Sequence, residues 1–139
     1  MKYLLLLIGL FFSGILTQAQ NGSWKIKLNN KVILSANKED AVKNERKIKQ
    51  AEWKKPGNLE IIFTEDDLNT WMRYFHFVDE QDNELFRKDS TTSVKVPLST
   101  LRKLFPGKKK IIIYTTISPL DPNLAIRIRR VHLCTIKLL

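Results

Sequence analysis

Beyond residue 20 the chain is built from short apolar stretches of period two, broken by Asn, Pro, Gly and Asp. Trp24-Lys25-Ile26-Lys27-Leu28 alternates apolar and basic positions, Asn29-Asn30 follows, and Lys31-Val32-Ile33-Leu34-Ser35 resumes. Successive side chains of a strand face opposite ways, and two residues that tolerate positive φ between two such runs predict a two-residue hairpin. Trp24, Ile26 and Leu28 are then core positions, with Lys25 and Lys27 in water. The run 59–63 predicts a short strand, 64–69 an acidic loop, and 71–78 an aromatic strand. One face of that strand carries Trp71, Arg73, Phe75 and Phe77, the other Met72, Tyr74, His76 and Val78. Because both faces are largely apolar, the strand is expected to be central and covered on both sides, or to form an interface. A polar turn at 79–83 leads into a return strand over 84–88.

The later part of the chain continues in the same style. After a brief strand at 94–96, Ser99 is placed as a helix N-cap, with Leu101, Leu104 and Phe105 on one side and Pro106-Gly107 ending the turn. The β-branched run 111–117 and the longer run 124–138 are read as a terminal hairpin. The stretch 37–55 has the weakest pattern. It is read as a polar connection with helical spacing in Ala41, Val42, Glu45 and Ile48, followed by a strand over 46–53. The expected fold is all-β: a two-sheet β-sandwich of about seven or eight antiparallel strands, with one short helical turn near 99–105. In plan this resembles immunoglobulin-like domains, although the paired cysteines of antibody domains are absent.

Composition adds two constraints. Residues 1–20 have the layout of a secretory signal: Lys2, an apolar core over 4–12, then Ser13, Gly14 and the small-residue end Thr17-Gln18-Ala19-Gln20. The apolar stretch is shorter than the roughly 20 residues of a spanning helix, so cleavage near Ala19 or Gln20 is expected and no transmembrane segment after it. What remains, 21–139, fits a single domain. The product is placed in the periplasm or outside the cell. The formal net charge is +10, and only one of the 24 cationic side chains precedes residue 21. Such a balance favours anionic partners through long-range attraction. Export directs the expectation to an anionic envelope component or protein, and away from nucleic acid. A lone cysteine, Cys134, permits no intrachain disulfide.

Candidate chemistry is confined to a few residues. Lys108, Lys109 and Lys110, with Arg127, Arg129 and Arg130, form a terminal basic group whose guanidinium forks suit carboxylate, phosphate or sulfate. The alternative is a copper or zinc site. His132 and Cys134 lie two apart on one expected strand, and Met72 and His76 share a face of another; if those strands are neighbours, a soft donor set could converge. Catalysis has little support: there is no Ser-centred elbow, metalloprotease His-Glu pair or Gly-rich phosphate loop, and Glu65, Asp66 and Asp67 read as solvated acids. The expected function is a non-catalytic binding module without a cofactor. Strand phase affects both candidate sites. Unbroken alternation from Ile126 would turn Arg130 inward with Ile128 and His132. A β-bulge near Arg129-Arg130 would keep that charge out, turn Val131 and Leu133 to the core, and move His132 and Cys134 outward.

Export gives a direct test. Intact mass and N-terminal sequencing of the protein recovered from the cell envelope should show a chain starting at Gln20 or Asn21; a chain retaining the apolar segment would contradict the signal assignment.

Overall fold

Asn29 and Asn30 adopt φ of 51° and 68° and close the expected hairpin between β1 (Gly22–Leu28) and β2 (Lys31–Ala36). Positive φ at both central residues matches the right-handed twist of the flanking strands. The turn is seated on Gly57-Asn58: Asn29 N–H donates to the Asn58 carbonyl at 3.0 Å, and Asn58 N–H to Asn29 Oδ1 at 3.0 Å. Gly57, at φ 154°, has no room for a Cβ beside the Asn29 side chain. The structure is a computed structural model that describes residues 22–65, 71–90, 92–125 and 127–139. The expected signal sequence, Asp66, Asp67 and Ile126 lie outside the described residues.

The remaining elements are β3 (Glu45–Ile48), α1 (Gln50–Trp53), β4 (Asn58–Glu65), β5 (Trp71–Val78), β6 (Glu84–Ser90), β7 (Ser93–Pro97), α2 (Leu98–Leu104), β8 (Lys110–Pro119) and β9 (Val131–Leu138). Two sheets result, with strand orders β2-β1-β4-β7 and β3-β9-β8-β5-β6. Their inner faces supply a common core. Trp24, Ile26, Leu59, Ile61 and Phe63 come from the four-stranded sheet, and Phe75, Phe77, Ile111, Ile113, Leu133 and Ile136 from the five-stranded one. α2 closes one end with Leu98 and Leu101 fully buried.

The all-β, two-sheet expectation holds, and several details differ from it. There are nine described strands, and one neighbouring pair is parallel: β3 runs alongside β9 in the same direction. A parallel pair cannot be joined by a tight turn. β3 enters from the other sheet and meets β9 only at the end of the chain, so no hairpin dictates its direction. The expected strand over 46–53 stops at Ile48 and becomes α1. In an extended chain Trp53 would face away from Ile48; one helical turn brings both into the core. α2 is flanked by Pro97, not capped by Ser99, and the Leu98 N–H donates to the Gly57 carbonyl at 2.9 Å. β4 continues through Thr64 and Glu65, which had been assigned to an acidic loop.

β9 departs most from expectation. It begins at Val131, and the described residues of 120–130 are exposed and irregular. Arg129 and Arg130 are consecutive, so a strand through them would aim one guanidinium at the core. The bulge lies further on. Tyr114 pairs with His132 and Ile113 with Cys134, which leaves Leu133 as the extra residue. Leu133 and Cys134 are therefore both fully buried, although adjacent. A bulged strand leaves ladder groups unpaired. Here Trp24 Nε1 donates to the Leu133 carbonyl at 3.0 Å, joining the two sheets through the bulge.

A second tie crosses the core at Arg73, only 2% exposed. Its guanidinium lies 3.8 Å from the centre of the Phe63 ring and forms a two-pronged pair with Glu65, with Nε to Oε1 at 3.1 Å and Nη2 to Oε2. Nη1 donates to Thr115 Oγ1 at 2.9 Å, and that hydroxyl donates to the Tyr74 carbonyl at 2.8 Å. Removing one partner of a buried pair strands the other charge. Arg73→Ala should therefore lower unfolding free energy by about 3–5 kcal/mol, whereas Arg73→Met combined with Glu65→Leu should recover most of the loss. Urea unfolding that shows the double variant as weak as the single one would refute a pairing role.

Candidate functional site

The bulge at Leu133 settles which of the singled-out residues meet. After it, Thr135 and Lys137 lie on the outer face of the five-stranded sheet and Cys134, Ile136 and Leu138 on the inner one. His132, before the bulge, faces outward beside Tyr114, with ring centres 5.6 Å apart in an edge-on contact. His76 also pairs with Tyr114, from the other side, so the two imidazoles flank a tyrosine and do not share a site. His76 Nδ1 bonds Glu84 Oε1, and Nε2 lies 2.7 Å from Thr116 Oγ1. Met72 lies on the same outer face, opposite Ser118. Cys134 points into the core, where burial raises its thiol pKa to about 12, with Arg46 opposing and Glu45 adding to the rise. Such a thiol is protonated at physiological pH and a weak nucleophile or ligand. Met72, His76, His132 and Cys134 thus do not converge, and no metal-binding group of three or more His, Cys, Asp or Glu side chains occurs among the described residues.

The basic residues divide by their partners. Arg129 pairs with Glu39, whose other oxygen accepts the His132 N–H at 2.7 Å. Arg130 bonds Asp82 at 2.8 Å and stacks over Tyr114, with its guanidinium carbon 3.9 Å from the ring centre. These two arginines fasten the entry into β9 to the outer side of the sheet. Arg127 is exposed. Burial lowers the pKa of His132 and the Glu39 carboxylate raises it, burial being the stronger, so the ring is held below its ordinary value.

The lysine turn is fastened too. Lys108 Nζ lies 3.1 Å from Asp79, and Glu80 Oε1 accepts the Lys109 and Lys110 N–H groups at 2.8 Å each. Asp79 is buried, which by itself would raise its pKa. The Asn83 N–H, the Lys108 ammonium, the Asn83 amide and the Gln81 N–H outweigh burial and bring it down to about 2. The Lys109 side chain remains exposed, and Lys110 stands at the start of β8.

Sheet register gives Lys110 neighbours that spacing in the sequence does not suggest. Lys110 pairs with Lys137, and Lys137 with Lys47. The outer face therefore carries three lysines abreast on β8, β9 and β3, each about one strand spacing (~4.8 Å) from the next. Like charges directly opposite one another destabilise a sheet. Within the described residues only one ammonium of the row has an ion pair, Lys137 with Glu45 at 3.1 Å, while Glu80 accepts the Lys110 backbone N–H. The four-stranded sheet is arranged otherwise: Lys27 and Lys95 are separated by Glu60, which pairs with Lys95 at 3.8 Å.

No family model matches this chain, and neither a curated protein nor a solved structure matches it. Function is therefore argued from the site. Two open recesses could hold a small ligand, one beside Asn29 and Gly57 and one beside β2. The larger, about 350 Å³, is lined by residues including Leu34, Lys38, Asp40 and Arg46. Of its cations Lys38, Lys43 and Arg46, the arginine is already engaged: it donates to the Ile33, Lys43 and Glu45 carbonyls. The outer face of the five-stranded sheet offers instead a flat cationic edge beside a half-buried stripe of Tyr74, His76, Tyr114 and His132.

Asp79 provides a pH test. Its folded pKa is depressed, so its stabilisation is complete above the unfolded value of about 3.9 and disappears as pH falls through about 2. Asp79→Asn should therefore be less stable than the native chain at pH 7, with the gap closing between roughly pH 4 and pH 2. A gap in denaturant midpoints that stays constant down to pH 2 would rule out this ionised carboxylate as the source.

Proposed function

We propose that this protein is an exported, non-catalytic binding module of a bacterial envelope that presents the outer face of its five-stranded sheet to an anionic partner. The row Lys47–Lys137–Lys110 carries the proposal. Three lysines paired in register across β3, β9 and β8 repel one another, and among the described residues only Lys137 has an ion pair, with Glu45. An anion lying across the strands would relieve that repulsion, so binding and local stability favour the same arrangement. Lys109, exposed beside Lys110, adds to this charge, and Arg127, also exposed, adds charge at the other end of the β8–β9 hairpin. Arg129, Arg130 and Lys108 act mainly as fasteners that hold the face together.

Export rests on Lys2, the apolar core 4–12 and the small residues ending at Ala19-Gln20. Among the described residues, no helix is long and apolar enough to cross a membrane. The scaffold is read as immunoglobulin-like in plan, with two packed sheets of mostly antiparallel strands supporting that reading at the level of layers. A non-catalytic role accords with a buried, protonated Cys134 and with a His76 ring engaged at both nitrogens by Glu84 and Thr116; His132 bonds Thr135 through Nε2, and its Nδ1 is buried without a partner among the described residues.

Binding to immobilised dextran sulfate tests the proposal. Lys47→Gln, Lys110→Gln and Lys137→Gln together should weaken binding by roughly tenfold or more at low salt and flatten its salt dependence. Lys25→Gln, Lys27→Gln and Lys95→Gln remove the same charge from the other sheet and should cost much less. Equal losses in the two triples would mean that net charge alone is responsible, and the face would lose its assignment.

A further inference from the structure

The connection between β8 and β9 breaks the usual rule for large aliphatic side chains. Leu120, Leu124 and Ile128 are 57%, 55% and 55% exposed, and they account for half of the six large exposed hydrophobics among the described residues. Single exposed apolar residues are ordinary on a protein surface, but three within nine positions, next to an exposed Arg127, are not scattered. Nor is this a slack segment that failed to find cover. Asp121 Oδ1 accepts the Asn123 N–H at 2.9 Å, the Asp121 carbonyl accepts the Leu124 N–H at 3.3 Å, and Pro119 and Pro122 fix their own φ. At its far end Arg129 is tied to Glu39, and Arg130 to Asp82 and the Tyr114 ring. The described part of the loop is thus shaped locally and anchored at its exit, with Leu120, Leu124 and Ile128 held in water.

The Arg130–Tyr114 stack ties the exit of the loop to the outer face of the five-stranded sheet. Tyr114 is on the outer face of the five-stranded sheet, opposite to its core neighbours Ile113 and Thr115. The chain therefore enters β9 from the side that carries the lysine row. The β8–β9 hairpin thus has cations abreast at one end and exposed aliphatic residues with an exposed arginine at the other. A soluble acidic glycan would match the cations and leave Leu120, Leu124 and Ile128 without a role. Anionic lipid matches both: headgroups take the lysines, and the aliphatic tips enter the boundary between headgroup and acyl chain.

We propose, building on the anion-binding role of this face, that its partner is the surface of an anionic lipid bilayer, with Leu120, Leu124 and Ile128 inserting at the interface and Lys47, Lys110, Lys137 and Arg127 contacting headgroups. The test uses the processed protein from the envelope and sedimentation with vesicles of phosphatidylcholine, alone or mixed with phosphatidylglycerol. Binding should require phosphatidylglycerol and weaken with salt. Leu120→Ser, Leu124→Ser and Ile128→Ser together should cut vesicle binding by about tenfold and leave dextran sulfate binding unchanged. In a Leu124→Trp chain, acyl-chain-brominated phosphatidylglycerol should quench emission beyond the level seen for the native tryptophans. A native chain that binds dextran sulfate but not phosphatidylglycerol vesicles would overturn the lipid proposal and leave the anion-binding face standing. Failure to bind either probe would overturn both. Undiminished vesicle binding by the triple serine variant, or no added quenching at position 124, would refute insertion and point to an acidic protein or glycan as the partner.

Discussion

The arrangement of the five-stranded sheet depends on one extra residue in β9. Had the pairing of Tyr114 with His132 continued without a bulge, Cys134 and Ile136 would face solvent and Lys137 would point into the core. Placing Leu133 as the extra residue shifts the phase and buries Leu133, Cys134, Ile136 and Leu138 together. The cost of a bulge is a carbonyl left out of the ladder, and Trp24 of the opposite sheet donates to it. Losing that indole N–H would leave a buried acceptor unsatisfied, at a cost of about 1–3 kcal/mol. The same shift brings Lys137 level with Lys110 and, through the parallel pairing, with Lys47. Core packing and the cationic row are thus two results of a single register choice.

Carboxylates in this molecule serve mainly internal purposes. Glu65 neutralises Arg73 within the core, Glu39 holds Arg129 and the start of β9, Asp82 holds Arg130, and Asp79 with Glu80 secures the lysine turn. With 24 cationic side chains against 14 acidic ones, fastening of this kind leaves positive charge over. On the four-stranded sheet Glu60 separates Lys27 from Lys95, whereas on the five-stranded sheet the lysines stand together. Net charge alone does not produce that asymmetry; sheet register does. It gives the outer face of the five-stranded sheet a row of lysines that the four-stranded sheet lacks.

Local chemistry made much of the scaffold readable from the chain. Asn29-Asn30 announced its hairpin because few residues accept positive φ twice, and Trp71 to Val78 announced a strand by period two and aromatic content. The bulge too left a trace: the core positions change from odd, at Val131 and Leu133, to even, at Cys134, Ile136 and Leu138. The charges at Arg129-Arg130 point to a bulge earlier in the chain, whereas the change of phase marks its place at Leu133. Arg73, in phase with Phe75 and Phe77, signalled a buried cation in need of a carboxylate, but which acid would meet it was a question of tertiary pairing. The lysine row had no local signature at all. Lys47 and Lys137 are 90 positions apart, and they become neighbours only because β3 adds to the sheet in parallel. The terminal basic cluster was visible as a run of charge, yet the side chains of Lys108, Arg129 and Arg130, half of its members, are engaged by acids that lie far off in the chain.

The central claim is that one face of one sheet does the binding. A heteronuclear NMR titration of the processed, isotope-labelled protein with short-chain phosphatidylglycerol would test it most directly. The account predicts that amide shifts concentrate at Lys47, Lys110, Lys137, Leu120, Leu124 and Ile128, with Lys25, Lys27 and Lys95 undisturbed. Shifts centred on the four-stranded sheet, or spread evenly over every exposed lysine, would contradict it.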